Sequence, residues 1–297
     1  MHLPTSALSL LLIAGVYPFC TQLSAAQPKA QAPATLPLVT PQGPGDLLVS
    51  PSRIVFDMKK RTASINLSNI GSSDATYRIS LVRMEMDENG GLSEVALDQS
   101  PGAVNVPGLI RFSPREIMLR PKEAQTIRLQ VRKPADLPAG EYRIHMMFRA
   151  IPPAPEAPKE PVKPSQTKGI SVNLIPLYGL AIPVIVRQGE TSVKPSLSNV
   201  HYEPATRTLT FQLNREGNQS IYGDLKARWT PRKGASVTVA EATGVAVYVP
   251  NAGRKMTLTL ATPKPATTYA NGRLKVTFSQ PPAEGGKLLA ETFLDLP

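Results

Sequence analysis

The chain has 297 residues but only one cysteine, three histidines, one tryptophan and 5 % aromatics. Each shortage removes a class of chemistry. A single cysteine, Cys20, allows no intramolecular disulfide, no zinc ribbon and no Cys-X-X-Cys redox pair. Of the histidines, His2 lies in the amino-terminal leader. His145 and His201 sit far apart in strand-like runs, which fits satisfied strand histidines better than catalytic or metal-binding ones. Sequence motifs for catalysis are missing as well. There is no G-x-S-x-G elbow and no H-E-x-x-H helix, and Gly286-Lys287 runs into Leu288 without the upstream glycine of a phosphate loop. Asp87-Glu88-Asn89 lacks the spaced ligands and distal glutamate of a calcium loop. The expectation is a protein that is not an enzyme and that uses no cofactor and no metal.

Long amphipathic helical windows are also absent. With 31 prolines and 41 % hydrophobic residues, the composition suits many short strands joined by turns. The net charge of +11 comes from Lys and Arg scattered along strands and turns. With few aromatics to stack bases, this reads as a solvated basic surface, and no nucleic acid is expected as a partner.

The longest apolar run, Leu8 to Val16, is too short to span a bilayer comfortably. It is followed by Ser24, Ala25 and Ala26, an A-x-A-like cleavage pattern, although residues 1–7 contain no Lys or Arg. Residues 1–26 are therefore read as a secretory signal peptide ending at Ala26. No stable membrane insertion is expected after its removal, and the mature chain would contain no cysteine. Gln27 to about residue 46 is rich in Pro and Ala without periodicity and reads as a disordered lead.

Strand signals begin at Leu47. Leu48–Phe56, Thr62–Asn69, Ala75–Met86, Gln125–Val131, Glu141–Ile151 and Ser171–Arg187 fit a set of about seven strands, the number an immunoglobulin-like sandwich needs. Asp87 to Gly91 is a hairpin turn, because Asn and Gly tolerate positive φ. Pro152 to Lys168 holds six prolines and must be an exposed loop. A second set of about seven strands includes Arg207–Leu213, Leu225–Thr230, Ser236–Val239, Val245–Val249, Met256–Ala261, Arg273–Phe278 and Leu288–Leu294. The fold class expected is all-β, two immunoglobulin-like β-sandwich domains after a signal peptide. The first domain covers 47–187 and the second 188–297.

Val172, Leu174, Pro176, Tyr178 and Leu180 share one alternating face. Periodicity supports two readings equally: this face packs the domain's own core, or it is offered to a partner. Arg53 lies on the face opposite Ile54 and Phe56 and, on its own, reads as an exposed strand arginine.

Three segments in order resemble the first domain of periplasmic pilus-assembly chaperones. They are Arg53-Ile54-Val55-Phe56-Asp57, Leu119-Arg120-Pro121-Lys122-Glu123-Ala124-Gln125-Thr126 between two strands, and Phe148-Arg149-Ala150-Ile151-Pro152-Pro153 at the end of a bulky strand. The likeness spans roughly residues 47–187. It implies donor-strand complementation, in which a long last strand completes a fibre subunit's unfinished sandwich. Val172, Leu174, Pro176, Tyr178 and Leu180 would fill the subunit's groove. Arg53 would hold the subunit's terminal carboxylate through paired hydrogen bonds, and Arg187 would brace the domain junction. The implied partners are fimbrial or surface-fibre subunits and an outer-membrane usher-like assembly protein, and the implied compartment is the periplasm. One departure is plain. Where the family has a lysine in I-K-x-x-x-R, this chain has Pro183 in Ile182-Pro183-Val184-Ile185-Val186-Arg187. Either Arg53 acts alone, another cation such as Lys168 substitutes, or the terminus is not anchored. The competing expectation is a secreted two-domain adhesive or carbohydrate-binding protein. That would call for an aromatic platform or calcium loop, and neither is visible.

Overall fold

The first strand-like run, expected as one strand, is two: β1 (Leu47–Ser50) and β2 (Ile54–Phe56). Pro51 ends β1 because it has no N–H with which to continue a ladder. The two pieces then join different sheets. β1 pairs antiparallel with β3 (Thr62–Asn69), while β2 pairs parallel with β10 (Gly179–Gln188). The computed structural model describes residues 47–98, 103–152, 179–262 and 269–297, all within one unit running from Pro41 to Pro297. The expected signal peptide, the Pro/Ala-rich lead, most of the loop from Pro152 to Lys168, and Val172, Leu174, Pro176 and Tyr178 lie outside the described residues. No described helix is long and apolar enough to cross a membrane.

Between those elements run β4 (Ala75–Met86), β5 (Leu92–Val95), β6 (Ile110–Ser113), β7 (Glu116–Leu119), β8 (Ala124–Val131) and β9 (Gly140–Ile151). One sheet has the order β1-β3-β8-β6 and the other β2-β10-β9-β4-β5, with β7 also on β4. Alternation sends Ile65 and Leu67, Ile127 and Leu129, and Ile144, Met146 and Phe148 into one shared core, closed by Ile54, Phe56 and Val184. Fully burying one such side chain contributes about 1.5–3 kcal/mol. Asn69 is a buried polar member of this core. Its amide donates to the carbonyls of Ser73 (2.8 Å) and Leu119 (3.0 Å), and its Oδ1 accepts from the Gly71 N–H (3.0 Å). It thereby pins the β3–β4 turn to the end of β7.

The second sandwich holds β11 (Val193–Glu203), β12 (Thr208–Gly217), β13 (Ile221–Pro231), β14 (Val237–Val247), β15 (Gly253–Thr259), β16 (Gly272–Ser279) and β17 (Leu288–Leu296). Its sheets are β11-β12-β15 and β14-β13-β16-β17, closed over Leu209, Phe211, Leu213, Trp229, Val276 and Phe278. The two strands expected at Ser236–Val239 and Val245–Val249 are one, β14. Register shifts against β13 interrupt its alternation and made one strand read as two.

The two sandwiches meet over a smaller buried cluster of Met86, Ile185, Ala246 and Tyr248. The hairpin after β4 adds a strut. Asp87 Oδ1 accepts the N–H groups of Asn89 and Gly91, both at 2.8 Å, and the shaped turn lies against β15. There the Lys255 N–H donates to the Glu88 carbonyl (2.7 Å) and Arg254 Nε to the Asn89 carbonyl (3.2 Å). Gly90 has φ +89°, and a Cβ there would fall 2.0 Å from the Arg254 guanidinium. Glycine is thus required twice over, by backbone and by contact.

Candidate functional site

Two features stand out, a half-open strand and a cleft. β10 pairs with β9 along its whole length, from Gly179↔Arg149 to Gln188↔Gly140. On its other side β2 covers only Val184 to Val186. Gly179 to Pro183 therefore has a partner on one side only among the described residues. Along the same stretch the core-facing row changes character. Val184 and Ile182 are buried, at 0 % and 3 % exposed, whereas Leu180 is 42 % exposed. Leu180 stands opposite Phe148, which is itself buried. The core thus ends at Ile182 while the apolar row and the unpaired edge run on together. Of the five residues expected on that row, only Leu180 lies within the described chain.

The cleft begins at Arg53, in the crossing between β1 and β2. Its side chain is only 12 % exposed and one guanidinium nitrogen lies 3.6 Å from Glu284 Oε1 of the second sandwich. The guanidinium stacks on the Tyr222 ring at 4.6 Å, an attraction of the cation to the ring face. Its Nε is buried without a hydrogen-bond acceptor among the described residues. Burial, followed by the like charge of Arg187, pulls the Arg53 pKa below its ordinary value. Arg53, Arg187, Ser220, Tyr222, Gln280 and Glu284 line a cavity of about 170 Å³.

Arg187 is in register with Glu141 and donates from Nε to its Oε2 at 2.9 Å. The Glu141 side chain is fully buried. It also accepts the Ser220 N–H at 3.2 Å and, through Oε1, the Ser220 hydroxyl. One carboxylate thus ties the end of β10 to the second sandwich. Lys133 Nζ adds a bond to the Arg187 carbonyl at 2.5 Å.

Two further side chains, which meet Tyr248 of the buried cluster between the sandwiches and do not line this cavity, were not anticipated. Arg143, opposite Ile185, stacks on the Tyr248 ring at 4.1 Å and leaves one terminal nitrogen buried without a partner. Burial is the main cause that lowers its pKa. His145, opposite Pro183, is 1 % exposed, and neither ring nitrogen has a hydrogen-bond partner. This corrects the expectation of a satisfied strand histidine. With no such partner among the described residues, it meets the Tyr248 ring edge-on, 6.1 Å between centroids at 88°. Burial, reinforced by Arg143, lowers its pKa from 6.5 to about 4, so the ring is neutral at physiological pH. Glu141, Arg143 and His145 occupy alternate positions of β9, opposite the core-facing Ile144 and Met146. Three ionisable residues on one strand face were the available signal. Sequence periodicity does not show that a second sandwich covers that face. Lys168 lies outside the described residues. Among the described residues no group of His, Cys, Asp and Glu could hold a metal ion.

No family profile matches the chain, and no curated protein matches it either. Among solved structures the chain is similar to the YadV chaperone at 12 % identity, covering 84 % of this chain and 100 % of that one with a TM-score of 0.42. It is likewise similar to the CupB2 chaperone of Pseudomonas aeruginosa (12 %, 84 % and 100 %, TM-score 0.41). A third is the chaperone–tip subunit pre-assembly complex CsuC–CsuE from the archaic chaperone-usher Csu pili of Acinetobacter baumannii (14 %, 83 % and 98 %, TM-score 0.42). At these identities and scores no family membership follows for this chain.

Proposed function

We propose that this chain is a non-enzymatic periplasmic chaperone that binds fimbria-like subunits by donor-strand complementation and passes them to an outer-membrane assembly protein. The observation that carries this reading is the state of β10. Between Gly179 and Pro183 it combines an edge without a partner among the described residues with an apolar row that leaves its own core beyond Ile182, exposed at Leu180. An incoming sandwich that lacks a strand needs both: main-chain groups to finish its sheet and alternate side chains to fill its groove. The row leads back to Tyr178, Pro176, Leu174 and Val172, which we assign to the same donated segment.

Arg53 supplies the anchor. Its guanidinium is nearly desolvated, has an unused Nε, and is held only loosely, at 3.6 Å, by a half-exposed Glu284. A subunit's terminal carboxylate would replace Glu284 with closer, bidentate hydrogen bonds. Pro183 leaves no lysine at its place on β10, and the cation that β10 brings to the Arg53 cavity is Arg187. Arg187 is committed to Glu141 and braces the junction.

The test is co-expression in a periplasm with candidate subunits from the same genome, followed by co-purification. A stoichiometric partner that is degraded without this chain supports the reading. Arg53→Ala should weaken capture by about 2–5 kcal/mol, and Leu180→Lys should weaken it without unfolding the chain. A partnerless chain, or variants that protect their partner as well as the wild type, would overturn it.

A further inference from the structure

The outward face of the sheet β1-β3-β8-β6 carries no carboxylate. Its inward rows are the core residues Ile65, Leu67, Ile127, Leu129, Ile110 and Phe112. Apart from Leu48 and Ala124, its outward positions are serine, threonine, asparagine and glutamine, with arginine at 111 and 128. Arg111 stands opposite Gln130 and Ser113 opposite Arg128, so the two arginines are diagonal neighbours, about 7–8 Å apart. A shallow concavity of about 580 Å³ opens between them over Thr62, Ser64 and Gln130. Arg132 continues the positive row past the end of β8, where its N–H donates to the Leu109 carbonyl (2.8 Å).

The turn from β2 to β3 extends this charge. Asp57 Oδ1 accepts the N–H groups of both Lys59 and Lys60 at 2.8 Å. That fixes a tip made of Met58, Lys59, Lys60 and Arg61. The Arg61 carbonyl accepts the Val131 N–H (2.9 Å), which joins the tip to the end of β8. Lys59, Lys60, Arg61, Arg111, Arg128 and Arg132 are all exposed, and none is paired with a carboxylate among the described residues. On other faces Arg78, Arg149, Lys226, Arg273 and Lys275 each have one, while the exposed Lys194, Arg228 and Lys287 have none among the described residues; what sets this face apart is that six such cations adjoin on it. Against these six neighbouring cations stands one carboxylate, Asp57, which is shared with Lys133, so the patch keeps a net positive charge that an external anion relieves.

Met58 decides which anion. It stands 60 % exposed at the tip, preceded by Asp57 and followed by three cations. An apolar side chain at the headgroup boundary with lysines and arginines meeting the phosphates is the combination by which peripheral proteins hold to a bilayer. We infer that this face docks on a bilayer surface containing anionic phospholipid, with Met58 dipping into the headgroup layer and Arg111 and Arg128 accepting phosphates in the concavity between them. The inference stands apart from the chaperone reading. Phe56, just before the tip, pairs with Val186 near the finish of β10, whereas the free edge lies at its start, so the chain could be held at a membrane with that edge open.

The test is flotation of the full chain with phosphatidylcholine vesicles, and with vesicles containing about one third phosphatidylglycerol. Binding is expected only to the second, and it should be lost in high salt. Removing cations should weaken it about fivefold each, so the turn variant Lys59→Gln/Lys60→Gln/Arg61→Gln should lose roughly a hundredfold. Arg111→Gln/Arg128→Gln is the second variant, and unchanged circular dichroism verifies the fold of each. Both retain the wild-type amino terminus, so any contribution from Leu8 to Val16 cancels. Equal binding to neutral vesicles, or turn and sheet variants that bind like the wild type, would overturn the inference. Retention on immobilised polyglutamate without vesicle binding would also overturn it, in favour of an acidic protein partner.

Discussion

Replacing Glu141 by glutamine should uncouple the two sandwiches. The substitution keeps the size of the side chain and an oxygen for Ser220, but it leaves the Arg187 guanidinium without its counter-charge. Breaking a buried pair from one side costs about 3–5 kcal/mol. Arg187 is 20 % exposed, so water recovers part of that, while the Glu141 side chain is fully buried. About 3 kcal/mol is therefore the expectation, equivalent to a fall in Tm of roughly 6–12 °C for a protein of this size. The chain has its own reporter for where the loss is felt. Trp229 is the only tryptophan and sits in the second core, so its fluorescence follows that sandwich alone, while far-UV circular dichroism follows both. In the wild type the two probes should trace one transition. In Glu141→Gln they should separate, because a sandwich released from its neighbour unfolds on its own. Ser220→Ala, which takes the hydroxyl from both Glu141 Oε1 and the Val249 N–H, should cost about 1–3 kcal/mol. A Glu141→Gln chain that loses less than about 1 kcal/mol and keeps coincident probes would refute this reasoning, since that is the worth of an exposed ion pair.

Acid should weaken the interface through His145. Its pKa is about 4 in the folded chain against an ordinary 6.5, so the unfolded chain binds the proton more readily and stability falls as pH drops through this window. The contribution is about 2 kcal/mol between about pH 7 and about pH 5, and His145→Phe should flatten that part of the urea-midpoint profile. Asn69→Ala should destabilise the first sandwich by about 2–3 kcal/mol, because the buried Leu119 carbonyl and the Gly71 N–H both lose a partner. Urea unfolding should show this loss in circular dichroism and in Trp229 fluorescence alike, because the intact Glu141 contact makes the two sandwiches unfold in one transition.

Much of the fold was legible in the sequence, and the failures have physical causes. β3, β4 and β9 are long and strongly patterned, so alternation alone gives their extent to within a residue. β5, β6 and β7 are four residues each, too short for alternation to be counted. β11 was not counted as a strand because Val193 to Glu203 is largely polar and mostly exposed or half-exposed. At the site, Arg53 and Arg187 came into view only through a family resemblance. Arg143 and the unsatisfied ring of His145 did not come into view at all, because which face of a sheet a second domain covers is a tertiary fact.

The crossing at Pro51 to Arg53 links the open edge to the cleft. A run continuing as one strand from Leu47 to Phe56 would stay in the first sheet beside β3, and β10 would lose its parallel neighbour altogether. Its buried residues Val184 and Val186 would then border an exposed edge. A crossing placed a few residues earlier would instead extend β2 alongside Pro183 and Ile182 and close the edge at which Leu180 emerges. At its actual position β2 covers β10 for three residues only. The same short crossing sets the Arg53 guanidinium against Tyr222 and Glu284 of the second sandwich. The extent of free edge and the depth of the arginine are therefore fixed by one backbone feature, and a change in the length of this crossing should alter both together.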